Sequence, residues 1–299
     1  GLGDVYKRQI MSDQQIQTFY LPLLHRLSSG EWFTSRTSAA LLFASVYEKI
    51  PLSMRADVHS MFVSLCTDET PMVRRAAARD MSALVKRMSP EVIINEMLPL
   101  YRRLSADDQD SVRLLTVQNL VAMAEVLSPA ETQQLLLSSI CGAFQDKSWR
   151  VRYMAADNFV QLATAVGEDV VKEDLVPAYI NLMRDAEAEV RTAAATQLPG
   201  LAKLLDQNTI IERLLPVAKE LADDPSQHVR GALAAQVSAL APLLGKDATT
   251  EHLLPLFLQL LKDEFPEVRL NIISRLEQVN EVIGIDLLSQ SLLPAIMTL

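Results

Sequence analysis

Acidic and basic side chains recur along this sequence at a fixed interval. A Val-Arg dipeptide appears six times, 39 residues apart, and an aspartate stands five residues before each valine. Carboxylates and guanidinium groups form charge-assisted hydrogen bonds, so this spacing predicts a structural ladder between repeats rather than catalysis. The predicted ladder residues are Asp68, Asp107, Arg113, Asp146, Arg152, Asp185, Arg191, Asp224, Arg230, Asp263 and Arg269, and Arg74 fits the same ladder.

The elements that must position these side chains follow from the same period. About 40 residues is the length of a helix pair in HEAT or armadillo arrays. Residues suited to helix ends also recur 39 apart, at Ser89, Ser128, Gly167, Asp206, Gly245 and Gly284. The sequence therefore predicts an all-α fold, a right-handed HEAT-repeat solenoid of about seven and a half helix pairs of 39 residues.

The predicted array covers residues 10–299 as a single domain. Its repeats are placed at residues 10–50, 51–88, 89–127, 128–166, 167–205, 206–244 and 245–283, with a partial repeat at 284–299. Residues 1–9 fit no repeat and are interpreted as a cloning or assembly scar. Because the partial repeat has no second helix, we expect the chain to be part of a longer protein.

Proline marks one position of most predicted first helices. Pro99, Pro177, Pro216, Pro255 and Pro294 share it, whereas the fourth repeat has Ser138. Pro22 lies close to the same position. Proline removes a helical hydrogen bond and its ring clashes with the preceding turn. The sequence therefore predicts a kink in each of these first helices.

Composition excludes several classes of partner. The net charge of −9 argues against binding to nucleic acid or to an anionic membrane, because both require a basic face. Two cysteines without C-x-x-C spacing suit a reducing compartment, so we expect a protein of the cytoplasm or nucleus. No apolar run is long enough for a membrane span, and no secretory leader is present.

Nothing in the sequence predicts an enzyme. The histidines His25, His59, His228 and His252 fall in different repeats and form no metal-binding pattern. Phosphate-binding loops and nucleophile motifs are absent. We therefore expect no catalytic residues, no metal and no cofactor, and we interpret the histidines as surface or packing residues.

Residues that do not repeat are the candidates for recognition, because stacking does not require them. Trp32, Phe33, Pro71 and Arg75 lie at predicted intra-repeat loops, as does the pair Trp149-Arg150. Tryptophan and arginine are common binding hot spots. The alternative is that each tryptophan packs against its own helices.

The same stretches resemble a known family. The segments WFTSRTS (32–38), TPMVRRAAA (70–78), DKSWRVRYM (146–154), PEVRLNIIS (266–274) and NEVIGI (280–285) are similar to the scaffold A subunit (PR65 type) of protein phosphatase 2A. The resemblance covers about residues 13–299 and implies a non-catalytic HEAT-repeat scaffold that binds a regulatory B subunit on its intra-repeat loops. The residues implied for this contact are Trp32, Phe33, Pro71, Arg74, Arg75, Ser148, Trp149 and Arg150.

The resemblance also implies a second partner, the phosphatase catalytic subunit, which would bind carboxyl-terminal repeats that are mostly missing here. The alternative function is that of an importin-β-like HEAT transport receptor binding basic cargo, and a tubulin-binding array is a weaker alternative. Transport receptors usually vary in repeat length. The constant 39-residue interval and the quoted segments therefore favour the phosphatase scaffold.

Overall fold

A computed structural model describes residues 11–296, and these residues contain helices and turns but no strand. The predicted scar at residues 1–9 lies outside this range. The chain divides into two compact units, Gly1–Leu136 and Leu137–Leu299. Each unit is a stack of helix pairs, which we number consecutively along the chain.

The first unit contains three complete helix pairs. Its helices are α1 (13–28), α2 (Phe33–Ala40, Phe43–Val46 and the 3-10 turn Tyr47–Lys49), α3 (Leu52–Cys66), α4 (Pro71–Val85), α5 (90–105) and α6 (Asp110–Val126). The boundary between the units falls within α7 (Pro129–Phe144). Second helices α2, α4 and α6 pack side by side in sequence order.

The second unit continues the alternation of first and second helices. Its helices are α8 (Trp149–Asp157 and Phe159–Thr164), α9 (168–183), α10 (Ala188–Thr196 and Leu198–Ala202), α11 (207–222), α12 (227–244), α13 (246–261), α14 (Pro266–Ile273 and Leu276–Ile283) and α15 (Ile285–Ile296). Helices α12 and α13 share the segment Ala241–Ala248, whose helical geometry is interrupted at Gly245.

Glycine and short polar residues stand at the joints between pairs. Gly167, Gly245 and Gly284 have φ values of 89°, 74° and 85°, a conformation that side chains with a Cβ rarely adopt. The Asp206 side chain accepts a hydrogen bond from the Thr209 amide and so caps the start of α11. These joints separate the second helix of one pair from the first helix of the next.

The proline position produces a specific distortion in five of the six first helices that were predicted to kink. The exception is α15, where Pro294 lies inside the α-helix Ile285–Ile296 without a π-helical segment. Five first helices contain a five-residue π-helical segment that ends two residues before a proline: Ile16–Tyr20, Ile93–Met97, Val171–Leu175, Ile210–Leu214 and Thr249–Leu253, before Pro22, Pro99, Pro177, Pro216 and Pro255. Helices α3 and α7 carry Ser60 and Ser138 instead and remain α-helical throughout. A widened turn accommodates a residue that has no amide hydrogen and crowds the carbonyl four residues earlier.

Second helices of the second unit are interrupted, which the sequence did not predict. The breaks in α8, α10, α12 and α14 fall at Asn158, Gln197, Gln236 and Arg275, again 39 residues apart. Polar side chains at the breaks pair with backbone groups: Asn158 Nδ2 donates to the Met154 carbonyl, and Gln197 Oε1 accepts from the Val160 amide. Asn119 has the same position in α6, which stays continuous.

Aromatic and small residues fill the space between helix pairs. The Phe159 ring packs between Phe144 and Tyr179, with ring centres 4.8 and 5.0 Å away. The Tyr179 hydroxyl donates to the Ala194 carbonyl at 2.6 Å, which satisfies a polar group in a dry environment. Small residues allow close helix contact, and Gly200 of α10 faces Val160 of α8.

Candidate protein-binding site

An arginine ladder lies beneath the intra-repeat loops of the first unit. Arg74 donates from Nε and Nη2 to the two carboxylate oxygens of Asp107, at 2.6 and 3.2 Å. Its Nη1 donates to the carbonyls of Asp68 and Glu69, in the loop before its own helix. Each such arginine therefore fixes its own loop and reaches the loop of the next pair.

The second unit repeats this arrangement three times. Arg152, Arg191 and Arg230 donate to Asp185, Asp224 and Asp263, with Nε to Oδ2 distances of 2.6, 2.7 and 2.6 Å. Each also donates from Nη1 to a carbonyl six residues earlier, those of Asp146, Asp185 and Asp224. Arg269 makes the same own-loop bonds, to the Asp263 and Glu264 carbonyls.

The remaining predicted ladder residues are Arg113 and Asp146. Arg113 is buried and donates to the carbonyls of Asp107 and Asp108, at 2.8 and 3.2 Å. Asp146 accepts from the Ser148 amide at 2.8 Å, through the same side-chain oxygen that the other aspartates use to cap their loops.

Arg36 lies 38 rather than 39 residues before Arg74 and does not follow a valine, so the 39-residue interval does not predict it as a ladder residue. In the structure Arg36 donates to both oxygens of Asp68, at 2.7 and 3.2 Å, and to the carbonyls of Gly30 and Glu31. The signal that could have identified it is the separation of 32 residues from the next aspartate, one short of the usual 33.

Hydrogen bonds within the ladder favour the ionised form of four of its aspartates. Burial opposes ionisation of Asp185, but the hydrogen bonds from Arg152 and from the Glu187 amide outweigh burial and lower the pKa of Asp185. The same balance lowers the pKa of Asp68, Asp107 and Asp263. The hydrogen bond to Asp224 correspondingly raises the pKa of Arg191. These pairs are partly buried and doubly hydrogen-bonded, the geometry in which an ion pair is most directional.

The predicted recognition residues of the first unit lie at the surface above this ladder. Trp32 is 72% exposed and Phe33 is 45% exposed, at the start of α2. Pro71 and Arg75 are exposed at the start of α4, whereas Arg74 is half-buried in its pair with Asp107. Among the described residues Arg75 has no ion-pair partner. Because Trp32 is 72% exposed, most of its side chain is accessible to a partner.

The second unit presents a smaller group at the start of α8. Arg150 is exposed and its guanidinium carbon lies 5.4 Å from the centre of the Trp149 ring, within cation-π range. Trp149 and Ser148 are half-buried. One part of the Trp149 ring is therefore packed and another part is accessible. This position is compatible both with recognition of a partner and with packing against its own helices.

Two exposed apolar residues beside these groups were not singled out from the sequence. Met72, between Pro71 and Val73, is 50% exposed, and Tyr153 lies one turn after Trp149 with 37% exposure. Met72 could have been identified because methionine does not recur at the equivalent position of the later repeats, where Ser111, Arg150, Glu189, His228 and Glu267 stand. Tyr153 could have been identified from the four-residue spacing that places it on the same helix face as Trp149.

Within residues 11–296 no three His, Cys, Asp or Glu side chains are grouped to hold a metal ion. His59 is buried, with Nε2 2.8 Å from the Tyr47 hydroxyl and Nδ1 paired with Glu96. Across the same range, no helix has the length and apolar character needed to cross a membrane.

Comparison with known proteins gives three family matches. Residues 168–245 match a PPP2R1A-like HEAT repeat, residues 253–283 match a HEAT repeat, and residues 91–204 match a PIK3R4-like middle domain. Each match covers less than half of the chain.

Curated relatives are similar over shorter stretches. The protein phosphatase 2A scaffold subunit of Dictyostelium discoideum is 48% identical over 82 residues, which is 27% of this chain and 14% of the relative. The PP2A 65 kDa regulatory subunit of Drosophila melanogaster is also 48% identical over 82 residues, with the same shares of 27% and 14%. The matched stretches thus span about one seventh of these relatives.

Solved structures share the fold. Importin beta superposes with a TM-score of 0.70 at 14% identity, covering 98% of this chain and 39% of that one. Kap95p, in a structure with RanGDP, gives a TM-score of 0.72 at 12% identity and covers 99% of this chain and 40% of that one. At such identities the likeness concerns the fold alone. The predicted fold class, an all-α HEAT-repeat solenoid, is confirmed, and the chain is a HEAT-repeat protein whose sequence resembles the scaffold A subunits of protein phosphatase 2A.

Proposed function

We propose that this chain is a non-catalytic scaffold of the protein phosphatase 2A type, which presents its intra-repeat loops to a regulatory B subunit. The observation that carries the proposal is the exposed group Trp32, Phe33, Pro71 and Arg75, held on two adjacent loops of a chain similar to phosphatase scaffold subunits. Large exposed aromatic residues beside an exposed arginine are typical of binding hot spots.

The second group, Ser148, Trp149 and Arg150, is the candidate contact of the second unit. Arg74 supports the loops through its pair with Asp107 and contributes to binding indirectly. The phosphatase catalytic subunit is the second proposed partner, and its binding to this chain alone is the weaker part of the proposal. A cytoplasmic or nuclear location would suit this role.

The test is a titration of the purified chain with a regulatory B subunit of protein phosphatase 2A. The quadruple variant Trp32→Ala, Phe33→Ala, Trp149→Ala, Arg150→Ala should lose binding by at least about a hundredfold, because each anchor typically contributes more than a factor of ten. A wild-type chain that binds no B subunit when both proteins are at micromolar concentration would defeat the proposal.

An importin-β-like transport receptor is the second candidate, supported by the similarity to importin beta in fold. It predicts binding of a basic peptide, which the net charge of −9 would favour. Sequence similarity favours the phosphatase scaffold, since the phosphatase relatives are 46–51% identical over their matched stretches while the transport receptors are only 12% and 14% identical. Binding of a basic import signal peptide without binding of a B subunit would reverse this preference.

A further inference from the structure

The two exposed loops of the first unit share one buried contact. Arg36 follows Trp32 by four residues, and its Nη1 donates to the carbonyls of Gly30 and Glu31, both at 2.9 Å. These two carbonyls immediately precede Trp32. The position of the Trp32 and Phe33 side chains above the helix is therefore tied to the Arg36 guanidinium.

The other edge of the same guanidinium reaches the next loop. Nε and Nη2 donate to Asp68, and Nη2 also lies 3.3 Å from the Thr70 hydroxyl. The Thr70 amide in turn donates to Asp68 at 2.9 Å. Thr70 directly precedes Pro71, so Arg36 holds the segment from which Pro71, Met72 and Arg75 project.

Only arginine can make this set of contacts. Its planar fork donates along two edges at once, whereas a lysine ammonium is a single point of contact. The Arg36 side chain is 15% exposed and that of Asp68 is 9% exposed, so water competes little for these bonds. One residue thus fixes the relative placement of Trp32 and Arg75, which lie on different helix pairs.

We propose that Arg36 is a positioning residue that joins the Trp32 loop and the Pro71 loop into one preformed docking surface for the regulatory B subunit. This inference rests on the proposed function. A partner that contacts both loops binds more tightly when their arrangement is fixed beforehand, because less conformational freedom is lost on binding. Arg36 itself need not touch the partner.

The chain offers a matched control. Arg191 makes the same bonds in the second unit, to Asp224 at 2.7 and 3.0 Å and to the carbonyls of Asp185 and Ala186. The exposed residues of its own loop are Arg184, Ala186 and Glu187. Arg184 pairs with Glu220, and none of the three is a candidate anchor. Arg36→Gln and Arg191→Gln therefore remove equivalent bonds, but only the first loosens the proposed docking surface.

The first experiment measures hydrogen exchange in the protein without any partner. Arg36→Gln and Arg36→Lys should both accelerate exchange at residues 30–33 and at residues 68–72. Arg191→Gln should leave those segments unchanged. Acceleration in only one of the two loops, or in neither, would overturn the proposal that Arg36 joins them.

The second experiment titrates the same proteins with a purified regulatory B subunit. Arg36→Gln should weaken binding by roughly tenfold per folded molecule, while Arg191→Gln leaves affinity unchanged within about twofold. In a double-mutant cycle, Trp32→Ala and Arg75→Ala should be coupled in the wild-type background and additive in Arg36→Gln. Arg36 would be only a stacking residue if Arg36→Gln and Arg191→Gln weakened binding equally. The same conclusion would follow if Trp32→Ala and Arg75→Ala remained fully coupled in the Arg36→Gln background.

Failure of the proposed function can be distinguished from failure of the positioning role of Arg36. If the wild-type chain does not bind the B subunit, the proposed function and the docking role fail together, and the exchange measurement still decides whether Arg36 joins the loops. If wild-type binding is present and Arg36→Gln binds with wild-type affinity, the proposed function stands and the positioning role is wrong.

Discussion

Arg191 and Asp224 lie 33 residues apart in sequence and form a two-point hydrogen bond, with Nε–Oδ2 and Nη2–Oδ1 distances of 2.7 and 3.0 Å. Their side chains are 13% and 6% exposed. Arg191 lies in the first turn of α10 and Asp224 lies in the loop after α11, so the pair crosses from one helix pair to the next. Removing this ion pair tests whether its contribution to stability is local or is shared along the whole second unit.

Arg191→Ala should lower the free energy of unfolding by about 1 to 3 kcal/mol, because the buried Asp224 carboxylate loses its partner. Helical content should remain, since the hydrogen bonds within each helix are untouched. In a stacked array each repeat contacts only its neighbours, so exchange protection should fall near α9 to α12 and persist in α14. Circular dichroism and hydrogen exchange measure the two effects, and a uniform loss of protection through the second unit would contradict this account.

The ladder also predicts how stability depends on pH. Asp68, Asp107, Asp185 and Asp263 have pKa values below that of an unfolded-state aspartate, so the folded state binds protons less readily than the unfolded state. Their stabilisation is complete above the unfolded pKa of about 4 and is lost as the pH falls through the folded values. Urea unfolding midpoints should therefore be constant between about pH 6 and 7 and decline below about pH 4.

A single substitution isolates the contribution of one ladder aspartate to this decline. Asp185→Asn should be less stable than wild type at neutral pH, because the ion pair with Arg152 is lost. The difference between the two proteins should shrink on acidification, since wild-type Asp185 becomes neutral as well. A difference that stays constant from neutral to acidic pH would show that Asp185 does not titrate as a stabilising carboxylate.

The ladder and helix pairs could be predicted because they depend on positions that repeat, and a 39-residue interval is visible without a structure. Two features could not be predicted from the sequence. Arg36 was missed because the first repeat is one residue out of register, although the guanidinium reaches the same kind of partners. The breaks at Asn158 and Gln197 were missed because asparagine and glutamine also occur within helices, and only the backbone shows what their side chains bond.

The proline position shows the limit of local reasoning more directly. Sequence predicts a distortion at Pro177, and the structure shows that it takes the form of the π-helical segment Val171–Leu175. A kink and a widened turn both relieve the clash with the carbonyl four residues earlier. Whether α9 kinks or forms a widened turn depends on how it packs against its neighbours, and this packing cannot be predicted from the local sequence.

Close packing between α8 and α10 gives a third prediction. A Cβ placed on Gly200 would lie 2.7 Å from Val160 Cγ2 and 3.2 Å from Cγ1. Gly200→Ala should therefore destabilise the protein by about 1 to 3 kcal/mol through overpacking, although alanine favours a helix over glycine.

The matched control is Gly142→Ala in α7, where a Cβ would meet no atom within 4 Å. This variant should be stabilised by up to about 1 kcal/mol, because only helix propensity changes. Removing the clashing methyl groups with Val160→Ala should make Gly200→Ala less costly than it is in the wild-type background. Thermal or urea unfolding is measured for the wild type, the three single variants and the double variant Val160→Ala, Gly200→Ala. Equal effects at Gly200 and Gly142 would exclude the steric explanation.

The last prediction concerns Trp149 and Arg150, whose stacked side chains lie at the start of α8. If they are binding anchors, the double variant Trp149→Ala, Arg150→Ala should keep its thermal midpoint within a few degrees and lose about 2 to 4 kcal/mol of affinity for a regulatory B subunit. If the half-buried Trp149 ring is mainly a packing residue, its truncation should instead cost about 3 to 5 kcal/mol of folding stability.

Glu189→Ala is the control for this experiment, because Glu189 is exposed and stands 39 residues after Arg150, in the equivalent position of the next repeat. Melting curves and titrations are measured on the same samples, with affinity expressed per folded molecule. The anchor role requires that the double variant lose affinity while Glu189→Ala does not. A large fall in the midpoint with unchanged affinity per folded molecule would assign Trp149 and Arg150 to packing, because a residue that only supports α8 affects how much protein is folded and not how tightly the folded protein binds.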